Sequence, residues 1–315
     1  ITSSMGISIC PRDGMDANEL VRCADVAMYW VKGNGRNGYK VFSSGMDQGA
    51  TERLQLERAL HRGLESGEFT VFYQPQIDLS SGAVIGVESL LRWRKADDQF
   101  VSPATFIPLA EDTGLIVPIG SWVLKKACSD VVRMREHLGL DLKVSVNISP
   151  RQFMNGDLVS LAQSTLRETG LDAAQLELEI TEGVLMDDRS GVATTLRELT
   201  SMGVSIAVDD FGTGYSSLSY LKRFPISKIK IDQSFVRDIT TDSGDAALTA
   251  AIIAMGHSLH IPVIAEGIET VEQMDFLVAN RCDEGQGYFW GRPMSFEALM
   301  HWFSVNYSKR SVMPG

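Results

Sequence analysis

The sequence has no apolar run long enough to cross a membrane. Its longest, Ala246–Met255, falls well short of the roughly 18 residues a span needs and carries helical spacing instead. No membrane contact is therefore expected. Excess positive charge is also missing. Lys and Arg number 29 against 40 Asp and Glu, a net charge of −11, which excludes the basic footprint of a protein that binds a nucleic-acid polymer. An anionic substrate would need local positive charge or a metal ion to approach. Cysteine is sparse, and Cys10, Cys23, Cys128 and Cys282 form no CxxC pair. That excludes a disulfide framework and predicts reduced thiols in a cytoplasmic protein. His257 and His260 share a helix face without a third ligand nearby, so a zinc site is not expected. The chain starts at Ile1 with no Met and no leader-like stretch, which predicts a cytoplasmic piece of a longer protein.

What is present suits a folded protein of 315 residues: 44% are hydrophobic and 22% charged, enough for one barrel of about 250 residues plus an attachment. Residues 1–45 differ in character from the rest. TSSMGISIC alternates like a strand, DANELVRCADVAMYWVKGNG has helical spacing, and YKVF reads as another strand. Gly33, Gly35 and Gly38 spell G-x-G-x-x-G, but they follow a helix and precede a strand, the reverse of a dinucleotide-binding turn. A helix cap and a turn explain them. Residues 46–68 read as a linker helix, with Leu56, Ala59, Leu60 and Leu64 on or near one face.

From residue 69 to 315 short apolar runs alternate with helical segments, which predicts a mostly parallel α/β sheet of the size that closes into a TIM-like (β/α)8 barrel. FYQPQIDLSSGAVIGVES is different: two strand runs meet across a short SSG turn. This is a hairpin, so one strand should run antiparallel to its neighbour.

Nearly every expected strand ends in an acid or an amide: Glu88, Asn147, Glu179, Asp209 with Asp210, Asp232 and Glu266. Barrel strands are expected to be apolar inside, and the C-terminal end of a barrel carries its chemistry. Singly, each such residue is more simply a cap or loop group. Converging carboxylates would repel one another without a cation, and a set of oxygen ligands favours Mg²⁺ or Mn²⁺. Adjacent Asp209 and Asp210 could bridge two ions, as in phosphodiester hydrolysis. Lys230 and Asp232 lie two apart and face the same way, so a lysine could hold a water there; a plain ion pair is the alternative. Arg92, four residues beyond Glu88, could grip a phosphate or form a surface salt bridge. Gly212 and Gly214 suit a mobile turn beside the Asp pair. Asp210-Phe211-Gly212 matches the kinase triplet, but the other kinase signatures are missing. Phe235, Tyr288, Phe289 and Pro293 follow strand ends and could stack on bases or pack in the core.

Taken in order, ESLLRW, VNISPRQF, LELEITEG, VDDFGTGYSSL, KIKIDQSFV, VIAEGIET and QGYFWGRPM resemble the EAL-domain phosphodiesterases of bacterial cyclic-di-GMP signalling, from about Leu54 to Phe303. Residues 1–45 resemble the C-terminal end of an α+β GGDEF (diguanylate cyclase) domain without its signature, so no cyclase activity is expected of them. The resemblance implies a barrel with one reversed strand that hydrolyses cyclic-di-GMP to linear pGpG. It implies metal ligation by Glu88, Asn147, Glu179, Asp209, Asp210 and Glu266, with Asp232 ligating or bonding at the same cluster. Two Mg²⁺ or Mn²⁺ ions are expected. Glu88, Lys230 and Glu266 are the expected catalytic groups, Lys230 holding the attacking water. Gln74, Leu90, Arg92 and Asp232 are expected at the substrate, as are Phe235, Glu269, Gln286 and Pro293. Glu182 resembles the glutamate that steadies the loop holding Asp210, Gly212 and Gly214, and a homodimer contact through that loop is implied. Glu88-Ser89-Leu90 departs from the name-giving Glu-Ala-Leu; Ser89 should face away from Glu88. The competing reading is a catalytically silent cyclic-di-GMP receptor that signals through dimer geometry. A sugar-phosphate barrel enzyme would not need so many carboxylates.

Overall fold

The computed structural model describes residues 3–33, 37–96, 98–155, 157–186, 191–213 and 218–307. It divides into two compact units, Ile1–Gly67 and Glu68–Gly315. In the first, parallel strands Ser4–Ile7 and Gly38–Val41 flank the helix Ala17–Gly33, as the alternation and periodicity predict. A Cβ on Gly6 would lie 1.9 Å from the Ala24 carbonyl oxygen, so only glycine allows strand and helix to pass this closely. Gly33 is the last residue of that helix, and Gly35 lies outside the described residues. A second helix spans Gly45–Ser66 and ends at Gly67 in the left-handed region, φ 70°. The small core holds Cys23, Ala27, Phe42 and Met46.

The second unit is a closed barrel of eight strands: β1 Phe69–Asp78, β2 Val84–Arg94, β3 Lys143–Ile148, β4 Leu176–Thr181, β5 Ser205–Phe211, β6 Lys228–Ile231, β7 Val263–Ala265 and β8 Glu284–Gly285. Neighbours from β2 through to β8 pair in parallel. β1 closes the ring and is antiparallel to both β2 and β8, the reversal that the SSG hairpin foretells. Asp78 shapes that hairpin: its Oδ1 accepts from the Ser80 hydroxyl and the Ser81 N–H, each at 2.7 Å, and Gly82 takes φ 66°.

Strand parity decides what faces where. Val144, Val146 and Ile148, Leu178 and Ile180, Ile206 and Val208, and Ile229 and Ile231 are buried on the side opposite the barrel lumen. The alternate positions point inward and, Ala207 and Ile264 apart, are largely polar. This corrects the expectation of an apolar lumen: Gln76, Ser145, Glu177 and Lys228 are all buried inside it. They are tolerated because they satisfy one another through hydrogen bonds and ion pairs.

Outside the lumen, Tyr73 donates to the buried Asp130 at 2.7 Å, and Lys126 (2.8 Å) and Arg133 (3.2 Å) complete that carboxylate's partners. The contact ties the helix Ile116–Leu138 to β1. Among the described residues no helix is long and apolar enough to cross a membrane. Trp93 is fully buried, its ring 5.8 Å from Phe69 and 5.7 Å edge-on to Phe106. Trp93→Ala should lower unfolding free energy by about 3–5 kcal/mol, read from urea unfolding; a change under about 1 kcal/mol would show that this cluster does not hold β2 in place.

Candidate active site

Lys230 is the centre of the C-terminal mouth. Its residue is 1% exposed, and its ammonium meets four carboxylates: Glu179 Oε2 at 2.6 Å, Glu266 Oε1 at 2.6 Å, Asp209 Oδ1 at 3.0 Å and Glu88 Oε1 at 3.7 Å. Glu88 does not end its strand as expected: it lies midway along β2, which runs on to Arg94. Around this core the amides orient the acids. Asn147 Nδ2 donates to Glu88 Oε1 at 2.7 Å. Gln286 Nε2 donates to Glu88 Oε2 and, at 3.0 Å, to Gln74 Oε1. Gln74 in turn donates to the Gly291 carbonyl. The structure thus brings Gln74, Glu88, Asn147, Glu179, Asp209, Lys230, Glu266 and Gln286 into one network. Next to Gln286, Gly287 lets the chain pass close to the Ile268 backbone, since a Cβ there would lie 2.0 Å from the Ile268 carbonyl oxygen.

Asp209 and Asp210 sit where β5 leaves regular pairing. The β5–β6 register shifts between Val208 and Phe211, and Asp210 has φ 52°. A non-glycine residue held in the left-handed region at a strand end is strain of the kind that gathers at functional sites. Beyond burial and Asp209, the charge of Asp232 adds to the rise of the Asp210 carboxylate, and Asp232 caps the short helix Gln233–Arg237 by accepting from the Ser234 N–H at 2.9 Å. Gly212, at φ 100°, lies against the Phe235 ring, so Phe235 supports the base of the loop here. Gly214 lies outside the described residues. Both Glu182 carboxylate oxygens are buried and accept no hydrogen bond from the described residues. Ser89 faces away from Glu88, and its hydroxyl donates to the Ser145 carbonyl at 2.9 Å.

Beside the network lies a cavity of about 370 Å³. Glu88, Leu90, Arg92, Asn147 and Asp209 line one side, and Pro103, Ile107, Ile116, Ile119 and Val123 the other. Arg92 bonds to the Leu91 carbonyl and rests 5.5 Å from the Phe72 ring centre. Burial pushes its guanidinium below the ordinary value, against the pull of Glu88 and Tyr288. Tyr288 is exposed, with Arg292 4.2 Å over its ring. Glu269 is exposed, and Pro293 is half-buried next to the strand Met294–Ser295; neither joins the network. The apolar wall from Pro103 to Val123 went unread in the sequence because helical spacing looks the same whether a face meets core or cavity.

Four carboxylates around one ammonium sum to −3. Burial acts to lower the Lys230 ammonium, but Asp209, Glu179, Glu266 and Glu88 together hold it well above its ordinary value. Burial pushes Glu266 up to about 8, with Lys230 opposing and Asp209 and Glu88 adding to the rise. Burial and then Asp209 push Asp210 to about 6. Such a cluster holds protons or takes up cations. Among the described residues no three acids form a ready-made cation cage, because the ammonium stands at their common centre. The donor chemistry nevertheless fits a hard divalent ion. The set is all oxygen, and the buried Glu179 Oε1 has no hydrogen-bond donor among the described residues.

Fold and site together define a (β/α)8 barrel with one reversed strand and an acidic, cation-seeking mouth. The sequence profile of the EAL domain matches residues 57–293, and the chain belongs to the EAL domain family. The bifunctional diguanylate cyclase/cyclic di-GMP phosphodiesterase MucR of Pseudomonas aeruginosa is 44% identical over 300 residues, 95% of this chain and 44% of the relative. The cyclic di-GMP phosphodiesterase NbdA of the same organism is 40% identical over 95% of this chain and 38% of its own length. This chain therefore spans less than half the length of these curated relatives. A solved PaMucR phosphodiesterase in complex with c-di-GMP superposes with TM-score 0.75 at 43% identity, covering 78% of this chain and 99% of that one. EAL phosphodiesterases are metal-dependent in general.

The raised carboxylates carry a sign. A Glu266 near 8 in the fold and near 4.5 unfolded contributes stability that is complete below the unfolded value and is lost as pH rises toward 8. In EDTA, Tm should fall over that window, and added Mg²⁺ or Mn²⁺ should raise Tm more at the alkaline end than at the acidic end. A flat EDTA profile, or equal gains at both ends, would contradict the charge-cluster account.

Proposed function

We propose that the barrel hydrolyses cyclic-di-GMP at one phosphodiester to give linear pGpG. The observation that carries this reading is the meeting of Glu88 and Glu179, Asp209 and Glu266, carried by β2, β4, β5 and the residue after β7, on Lys230 at the catalytic end of the barrel. Support comes from the cavity beside them, about 370 Å³ with Arg92 at one side, which suits a purine nucleotide next to a phosphate. The named activity of MucR and NbdA points the same way.

Two Mg²⁺ or Mn²⁺ ions would be held by Glu88, Asn147, Glu179, Asp209, Asp210, Asp232 and Glu266. When bound, such ions polarise a phosphoryl oxygen and lower the pKa of water. The chain's own groups do the rest. Arg92 would bind a phosphate oxygen through its guanidinium in the cavity that Glu88 and Asn147 also line. Gln286 and Asn147 hold the Glu88 carboxylate in one orientation from either side. Lys230 would donate to the attacking water and align it with the leaving 3′ oxygen. The hydroxyl of water joins phosphorus and its proton ends on the 3′ oxygen. Leu90 and Pro293 would border the bases, with Glu269 and Gln74 adding polar contacts. Phe235 and Glu182 would act by steadying the loop at Asp210 and Gly212.

A homodimer, a cytoplasmic setting and a cyclase-type origin for residues 1–45 belong to the same proposal; alignment with MucR over 95% of the chain supports the last. Glu88→Ala should abolish pGpG formation in Mg²⁺ with the circular dichroism spectrum unchanged, and turnover near the unsubstituted rate would remove the metal assignment. Lys230→Ala should cut kcat by on the order of a hundredfold or more while cyclic-di-GMP binding stays nearly intact. Binding without any turnover in the unsubstituted protein would favour the receptor reading instead.

A further inference from the structure

Below the proposed hydrolytic layer the lumen holds a second polar layer with no part in that chemistry. Lys228, 3% exposed, places its ammonium 3.1 Å from Glu177 Oε1 and 2.8 Å from Glu284 Oε2. Ser145 donates to Glu177 Oε1 at 2.7 Å, and Gln76 approaches Ser145 at 3.4 Å. Each member lies two residues from a member of the upper layer: Glu177 from Glu179, Lys228 from Lys230, Ser145 from Asn147 and Gln76 from Gln74 on their strands, and Glu284 from Gln286 just past the end of β8. The lower layer is thus the upper one repeated a pleat down.

We propose that Lys228 is a positioning residue for the layer above it, clamping β4, β6 and β8 through Glu177 and Glu284 so that Glu179, Lys230 and Gln286 keep their geometry. The inference rests on reading that upper layer as the hydrolytic site. Backbone pairing alone does not hold these strands. β6 is four residues long, and its ladder to β5 breaks beside Asp209 and Asp210. β8 has two residues, paired to β7 and β1 by two positions each. A strand with so few ladder bonds can rotate about its axis, and any rotation that swings Lys228 out of the lumen swings Lys230 with it. The Lys228 ammonium opposes this from both sides, reaching over β5 to Glu177 and over β7 to Glu284. Burial acts to lower the ammonium, and Glu177 and Glu284 more than offset it, so the clamp stays charged.

The test uses the whole chain with two sets of variants. Lys228→Met alone leaves two buried acids unpaired, so it is combined with Glu177→Gln and Glu284→Gln to remove the imbalance at nearly constant volume. The triple variant should unfold cooperatively, yet lose about tenfold or more in kcat with KM for cyclic-di-GMP within about threefold. Its Mn²⁺ affinity, measured by electron paramagnetic resonance without substrate, should weaken about tenfold. Glu284→Gln alone keeps an acceptor for the ammonium and should hold kcat and Mn²⁺ affinity near the unsubstituted values, whereas Glu284→Leu should lose both. A folded triple variant with kcat and Mn²⁺ affinity unchanged, or equal behaviour of Glu284→Gln and Glu284→Leu, would overturn the proposal. An unsubstituted protein that fails to cleave cyclic-di-GMP would overturn the functional reading instead, while the Mn²⁺ measurements would still decide the role of Lys228.

Discussion

The charge balance inside the barrel is the constraint on which the rest depends. A buried ammonium and a set of buried acids are each costly alone, and the fold is acceptable only because they are brought within ion-pair distance. Lys230 answers four carboxylates at the mouth, and Lys228 answers two a pleat below. The upper set remains short of positive charge. On the proposed reading, that deficit is what draws cations to the mouth and, through them, a phosphodiester.

Strand parity converts this chemistry into architecture. The apolar positions of β3, β4 and β6 face the helices and form the outer core, while the intervening polar positions fill the lumen. Many barrels fill the lumen with branched aliphatics. Here the lumen is a column of hydrogen bonds and ion pairs, and its upper end opens into the site. The reversed β1 adds a second consequence. Because it runs antiparallel to β2 and β8, it lays Gln74 beside Glu88 and within reach of Gln286.

Much of the site was legible from the chain because strand ends declare themselves. Asn147, Glu179, Asp209 and Glu266 each stand at or near the close of an apolar run, and the barrel rule sends such ends to one rim; Glu88 joins them from the middle of β2. The lower layer was equally present in KVSVN, LELEI and KIKID as a period of two. It was missed because an apolar lumen was assumed and only the last residue of each run was weighed. Glu269 and Pro293, by contrast, were placed with the site from motif order, and the fold sets them outside its hydrogen-bonded network.

By itself the sequence determined the alternation of strand and helix, the hairpin that reverses β1, and, Glu88 apart, which acids stand near strand ends, since each follows from local periodicity and turn chemistry. Only the tertiary structure decided that Lys230 faces four carboxylates rather than one, that Phe235 packs under Gly212, and that a cavity opens between Arg92 and the wall from Pro103 to Val123. Those facts depend on barrel closure, which brings together residues up to about two hundred positions apart, and no local pattern encodes the distances that closure imposes.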